Sequence, residues 1–138
     1  MAYALKKGGS DWETVLLRDV FAQQELPDDT LEWVKFSALS WTKDNSGFFY
    51  SRFDAPNSLS NATFKSKAGV ETDRVKNHKV YYHRLGTKQE QDNLVFQMRD
   101  QPDYLIAAHV SNCGNYLLFI VENGSHAHHL LYIADLNE

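Results

Sequence analysis

A cluster of histidines near the end of the sequence is the pattern that most directly suggests chemistry. It reads His126-Ala-His128-His129, and imidazole is a common ligand of zinc and similar ions. In a strand, residues 126 and 128 would share one face. No cysteine or carboxylate accompanies these histidines at the spacing typical of a metal site. We therefore interpret the cluster as a solvated turn that leads into a strand, and we predict no bound metal.

Two pairs of acidic residues and one serine are further candidates for catalysis. The pairs are Asp28 with Asp29 and Asp100 with Asp103; each lies beside a proline in a predicted loop, where nothing in the sequence would raise a carboxyl pKa. We interpret them as solvated turn residues. Ser10 follows two glycines but precedes an aspartate, so it does not form the Gly-x-Ser-x-Gly nucleophile elbow. We predict no catalytic residue in this chain and no cofactor.

Charge and composition argue against several classes of partner. The net charge of −4 and the pI of about 5.8 give no electrostatic reason to bind nucleic acid or anionic lipid. No apolar run approaches the roughly 20 residues that a membrane-spanning helix needs, so no membrane is expected. Cys113 is the only cysteine of the sequence and cannot form an intrachain disulfide, which favours a cytoplasmic location.

Short β-rich runs separated by turn signals make up most of the sequence. Polar turn sequences such as Asp44-Asn45-Ser46-Gly47 separate them, and one helical turn is predicted near residues 27–31. The predicted strands are 12–20, 34–41, 48–53, 79–85, 93–97, 104–110, 116–121 and 130–136. This pattern predicts an all-β fold.

One structural unit recurs along the chain. Segments 36–50 and 106–119 each run strand, polar turn, strand, and each is followed after a loop by a third aromatic-aliphatic strand, at 79–86 and 129–136. Residues 93–96 supply a fourth strand after the first of these units. Four antiparallel strands per unit are typical of a β-propeller blade, so the fold class is predicted to be a partial β-propeller of such blades.

The repeat also predicts how the chain is divided. Residues 1–26 form the end of one blade, 33–97 a complete blade with a surface insertion at 54–77, and 104–138 an incomplete blade. A blade buries its faces only against neighbouring blades, so a partial ring leaves two apolar sheet faces exposed. We therefore expect residues 1–138 to be a fragment of a larger propeller.

Several motifs resemble, in the same order, the propeller of the prolyl oligopeptidase family. They include Val34-Lys-Phe-Ser37, Trp41-Thr-Lys-Asp44 and Leu131-Tyr-Ile-Ala-Asp-Leu136. The most specific is Tyr81-Tyr-His-Arg-Leu-Gly-Thr87, which has no reason to occur in an arbitrary propeller. The resemblance covers nearly the whole chain and implies a segment of the family's N-terminal seven-bladed β-propeller.

The resemblance implies a function for the protein to which this segment belongs. Members of the family are serine endopeptidases that cleave short peptides after proline, with a Ser-His-Asp triad in a separate α/β-hydrolase domain. The propeller is the lid of that domain. The implied partners are therefore short proline-containing peptides and the peptidase domain of the same protein, and this chain without the triad is expected to be inactive.

Three residues are implied to face the substrate. Phe36, in the Val-Lys-Phe motif, resembles an aromatic wall of the peptide pocket, whereas the strand pattern alone favours a buried core residue. Leu105 and Ser125 fall where other substrate contacts of the family lie, with a buried strand residue and an ordinary turn residue as the respective alternatives. For the whole chain, the alternative function is a non-catalytic scaffold for protein interactions.

Overall fold

Regular structure in this protein is almost entirely β-strand in the parts that the computed structural model describes, residues 1–6, 8–54, 76–124 and 128–137. None of the helical segments in these ranges has the length and apolar character needed to cross a membrane. Short 3₁₀ turns occur at Pro27–Asp29 and Gln89–Gln91. The strands are β1 (Ala2–Lys6), β2 (Glu13–Asp19), β3 (Gln24–Glu25), β4 (Leu31–Val34), β5 (Ser40–Trp41), β6 (Gly47–Arg52), β7 (Lys79–Arg84), β8 (Asn93–Gln97), β9 (Leu105–Val110), β10 (Tyr116–Glu122) and β11 (His129–Asp135).

The strands form two open antiparallel sheets. The first follows the order β1-β2-β4-β6-β7-β8, with β3 paired to β2 and β5 paired to β6; the second is β11-β10-β9. Within the first sheet, β5 to β8 form a four-stranded antiparallel blade in sequence order. A single pair, Val34 with Arg52, joins β4 to this blade.

The predicted all-β, partially formed propeller is confirmed by these antiparallel, unclosed sheets. The helical turn expected near residues 27–31 is present at Pro27–Asp29. The blade boundaries at 1–26, 33–97 and 104–138 stay predictions, and the insertion at 54–77 lies mostly outside the described residues.

The predicted strand over residues 34–41 is wrong. The chain leaves the extended conformation at Phe36, whose φ angle is 54°. A left-handed non-glycine residue costs about 1 kcal/mol or more and interrupts a strand, so only β4 and the two-residue β5 remain on either side. Residues 35–39 therefore form a connecting segment whose conformation the tertiary structure must stabilise.

Strand β6 is the centre of the core because both of its faces are buried. Phe48 and Tyr50 point to one face and pack with Val15, Leu17, Leu31 and Val34. Phe49 points to the other face and packs, with Val80, against residues of the second sheet: Ile106, Ala108, Leu117, Phe119 and Val121. This second cluster buries apolar side chains between the two sheets.

Candidate functional site

Phe36 lies in the segment between β4 and β5 and is 54% exposed. It is therefore not the buried strand residue that the strand pattern favours. The ammonium group of Lys35 lies over its ring, 5.0 Å from the centroid, and also lies 5.4 Å from the centroid of the Trp12 ring. Asp11 Oδ2 is 3.6 Å from the same ammonium. The Phe36 ring is thus exposed to solvent beside the Lys35 ammonium group, whose charge is paired with Asp11.

Hydrogen bonds that involve side chains hold the chain on either side of Phe36. The carbonyl oxygen of Lys35 accepts a hydrogen bond from His78 Nε2 at 3.0 Å. Ser37 Oγ donates to the carbonyl of Ala38 at 2.8 Å and accepts from the backbone N–H of Ser51 at 2.7 Å. These bonds hold the left-handed conformation at Phe36, which has no support from local propensity.

Leu105, the second predicted contact, is the first residue of β9 and is half-buried. The N–H of the next residue, Ile106, donates to His78 Nδ1 at 2.9 Å, and the carbonyl of Ile106 accepts from Ser51 Oγ at 2.6 Å. His78, through its ring, and Ser51, through its N–H and its Oγ, therefore contact both the Phe36 segment and the start of β9. Phe36 and Leu105 therefore each adjoin a residue whose backbone binds the His78 ring.

Ser125, the third predicted contact, lies outside the described residues. Its role stays a prediction. Of the neighbouring histidine cluster, His128 and His129 are described, and His129 Nδ1 lies 3.5 Å from Glu122 Oε1. Across the described ranges, no group of three or more histidine, cysteine or acidic side chains is arranged to hold a metal ion.

His78 is held in one protonation state by its surroundings. Its side chain is 2% exposed, and its ring packs on Phe53 with 4.5 Å between the ring centroids. Burial lowers the pKa of His78 to about 4, so the ring is neutral at pH 7. Because Nδ1 accepts from an N–H while Nε2 faces a carbonyl oxygen, the single ring proton must be on Nε2.

A second buried polar cluster lies beneath the 3₁₀ turn at Pro27–Asp29. Both ring nitrogens of His83 face carboxylates: Nδ1 lies 2.8 Å from Asp92 Oδ1 and Nε2 lies 3.0 Å from Asp29 Oδ1. Burial disfavours the charged ring, but the two carboxylates outweigh burial and raise the pKa of His83. Tyr50 donates to Asp92 Oδ2 at 2.6 Å, and burial together with that carboxylate raises the pKa of Tyr50.

The predicted solvated location is therefore wrong for Asp29, whose side chain is only 3% exposed. Asp28, its neighbour, is exposed as predicted. Sequence reasoning also did not identify His78. Neither residue carries a local signal, since their partners lie 54 residues away for Asp29 and 43 and 28 residues away for His78.

Comparisons with known proteins agree with the fold. The open antiparallel sheets are those of a partial β-propeller. The family model of the prolyl oligopeptidase N-terminal beta-propeller domain matches residues 1–138. The chain therefore belongs to the prolyl oligopeptidase family, in its N-terminal propeller domain.

Two curated relatives illustrate the match. The chain is 38% identical over 136 residues to a prolyl endopeptidase of Elizabethkingia meningoseptica, an alignment that covers 99% of the chain and 18% of the relative. It is 34% identical over 149 residues to prolyl oligopeptidase A of Amanita bisporigera, covering 99% of the chain and 19% of the relative. The chain thus spans about a fifth of the length of the curated relatives it matches.

Solved structures give the same result. Prolyl oligopeptidase B from Galerina marginata, bound to a 35mer hydrolysis and macrocyclization substrate, superposes with a TM-score of 0.79 at 31% identity, covering 99% of this chain and 19% of that chain. A structure from work on two prolyl endopeptidases and their inter-domain dynamics superposes with a TM-score of 0.80 at 32% identity, covering 98% and 17%. The chain is similar in sequence and fold to the propeller of peptide-cleaving enzymes.

Proposed function

We propose that this chain is part of the propeller lid of a serine endopeptidase that cleaves short peptides after proline. In this proposal the lid gates access to a catalytic domain of the α/β-hydrolase type and excludes folded proteins. Membership of the family and similarity to prolyl endopeptidases support the enzyme class. The gating role rests on the resemblance to the family.

One structural observation supports a direct contact with the peptide, namely the exposed ring of Phe36 on a backbone that hydrogen bonds hold in place. An aromatic ring whose backbone is held by hydrogen bonds on both sides loses little conformational freedom when a ligand packs against it. We propose that Phe36 packs against the residue that precedes the substrate proline. Leu105, on the neighbouring segment, supplies a second apolar surface to the same peptide.

The test uses the protein expressed from the complete reading frame that encodes this chain. We expect cleavage of a chromogenic peptide with proline before the scissile bond, and little cleavage of a folded protein that contains proline. Phe36→Ala should raise KM about tenfold, since losing roughly half of the contact area of a phenylalanine costs about 1.5 kcal/mol. Phe21→Ala is the matched control, because Phe21 is fully exposed in the turn between β2 and β3.

The possible results separate the parts of the proposal. A protein that does not cleave the peptide would overturn the enzyme assignment and favour the interaction scaffold. Rapid cleavage of the folded protein would remove the gating role. Equal KM values for Phe36→Ala and Phe21→Ala would remove Phe36 from the pocket while leaving the enzyme class intact.

We propose the cytoplasm as the compartment. The support is the single cysteine of the sequence, Cys113, which is exposed and free. Cell fractionation with an antibody against the chain tests the location, and recovery in a secreted fraction would contradict it.

A further inference from the structure

His78 joins the two segments that carry the proposed peptide contacts. Its Nε2 donates to the carbonyl of Lys35, next to Phe36, and its Nδ1 accepts from the N–H of Ile106, next to Leu105. We propose that His78 is a positioning residue for peptide recognition, which fixes Phe36 and Leu105 relative to each other across the two sheets. This inference rests on the proposed function, because it assigns a second residue to the same site.

The geometry makes His78 difficult to replace. The Phe36 segment connects two strands of the first sheet, whereas β9 belongs to the second sheet. No described strand of the first sheet pairs with β9, so side chains must satisfy the backbone groups of β9 that face the first sheet. A neutral imidazole supplies a donor and an acceptor at opposite ends of a rigid ring, which sets the distance between the Lys35 carbonyl and the Ile106 N–H. No rotatable bond lies between those two ends.

The Phe36 backbone is the part that most needs this support. Its left-handed conformation costs about 1 kcal/mol or more and is kept only where the surroundings determine it. Without the His78 ring, the Lys35 carbonyl would lose its hydrogen bond at a partly buried position, and the segment would relax towards an extended conformation. The Phe36 ring would then turn away from the direction in which it now faces solvent.

Ser51 binds the same region but does not replace His78. Its N–H donates to Ser37 Oγ and its own Oγ donates to the carbonyl of Ile106. These bonds hold the chain on the C-terminal side of Phe36 and satisfy the carbonyl oxygen of Ile106. The Lys35 carbonyl and the Ile106 N–H both depend on His78 in the described structure.

The test compares variants in the protein expressed from its complete reading frame. His78→Leu fills the buried space without either hydrogen bond, and His78→Gln retains one donor and one acceptor. We expect His78→Leu to raise KM for the chromogenic peptide about tenfold with kcat little changed, and His78→Gln to restore most of the loss. Tyr50→Phe is the control, because it removes the hydrogen bonds that Tyr50 Oη makes with Asp92 and Gln89 and leaves those on either side of Phe36 in place.

A double variant distinguishes positioning from general destabilisation. If His78 acts through Phe36, adding His78→Leu to Phe36→Ala should raise KM by less than about twofold further, because the positioned ring is already absent. An independent tenfold increase in the double variant, or a Tyr50→Phe variant with the same KM as His78→Leu, would overturn the proposal. Effects confined to kcat would also overturn it.

Hydrogen exchange gives a measurement that does not depend on activity. The Ile106 amide should exchange at least tenfold faster in His78→Leu, with the amides of β10 unchanged. Unchanged exchange at Ile106 would contradict the positioning role even in an inactive protein. If Phe36→Ala leaves KM unaltered, the proposed function fails at Phe36; if Phe36→Ala raises KM and His78→Leu does not, only the His78 proposal fails.

Discussion

Replacement of Asp29 by asparagine should specifically weaken the buried cluster around His83. Asp29 Oδ1 accepts from His83 Nε2 at 3.0 Å and from the Gly86 N–H at 2.7 Å. The amide oxygen of asparagine can retain the bond to Gly86 but carries no charge to balance a protonated ring. The variant therefore leaves His83 either charged with one carboxylate, Asp92, or neutral with one unsatisfied ring nitrogen.

The magnitude follows from burial. The side chains of His83 and Asp92 are fully buried and that of Asp29 is 3% exposed, so solvent screens the lost interaction little. Removing one partner of a buried ion pair costs about 3–5 kcal/mol. Because Asp92 still pairs with the ring, we expect a smaller cost of about 2 kcal/mol. This cost corresponds to an increase of about 30-fold in the equilibrium constant for local unfolding.

The loss should depend on pH in a direction fixed by His83. The pKa of His83 is raised in the folded protein, so the charged ring stabilises the fold. This stabilisation is fully present below the pKa of His83 in the unfolded chain and is lost as the pH rises through its pKa in the folded chain. The difference between wild type and Asp29→Asn should therefore be largest near pH 6 and decrease at alkaline pH.

Native-state hydrogen exchange of the β7 amides measures the effect locally. We expect about 30-fold faster exchange in Asp29→Asn at pH 6 and no more than about twofold in Asp28→Asn, where the neighbouring carboxylate is exposed. Equal exchange in the two variants would refute the view that the charge on Asp29 supports the fold. A larger difference at pH 9 than at pH 6 would refute the assigned protonation of His83.

Two further predictions concern stability. The pKa of His78 is about 4 in the folded chain and 6.5 in the unfolded chain, so the stabilisation from neutral His78 is fully present above about pH 6.5 and decreases as the pH falls. Hydrogen exchange at the Ile106 amide should therefore report about 2 kcal/mol less local stability at pH 5 than at pH 7. His78→Gln should abolish this pH dependence. Gly47→Ala should destabilise the β6–β7 pair by about 2 kcal/mol, because a Cβ would lie 2.2 Å from the His83 carbonyl oxygen. An unchanged melting temperature would contradict this prediction.

Local sequence patterns predicted much of the fold correctly. Alternation of apolar residues indicated strands close to β2, β6, β7, β9 and β10, because side-chain direction alternates along any extended chain. The proline and acidic residues at 27–29 predicted a helical turn that is present. The strand predicted over 34–41 was wrong because the hydrogen bonds that hold Phe36 in a left-handed conformation come from residues distant in sequence.

The sequence by itself determined the all-β class, through its periodicity and turns, and the prolyl oligopeptidase family, through ordered motifs such as the one at Tyr81–Thr87. Only the tertiary structure decided which polar residues are buried and what they bind. His78 and Asp29 resemble ordinary loop residues until the chain brings their partners within hydrogen-bonding distance from 28 to 54 residues away. The reason is physical: strand periodicity is a property of neighbouring residues, whereas the hydrogen bond of a buried polar group depends on which distant backbone packs beside it.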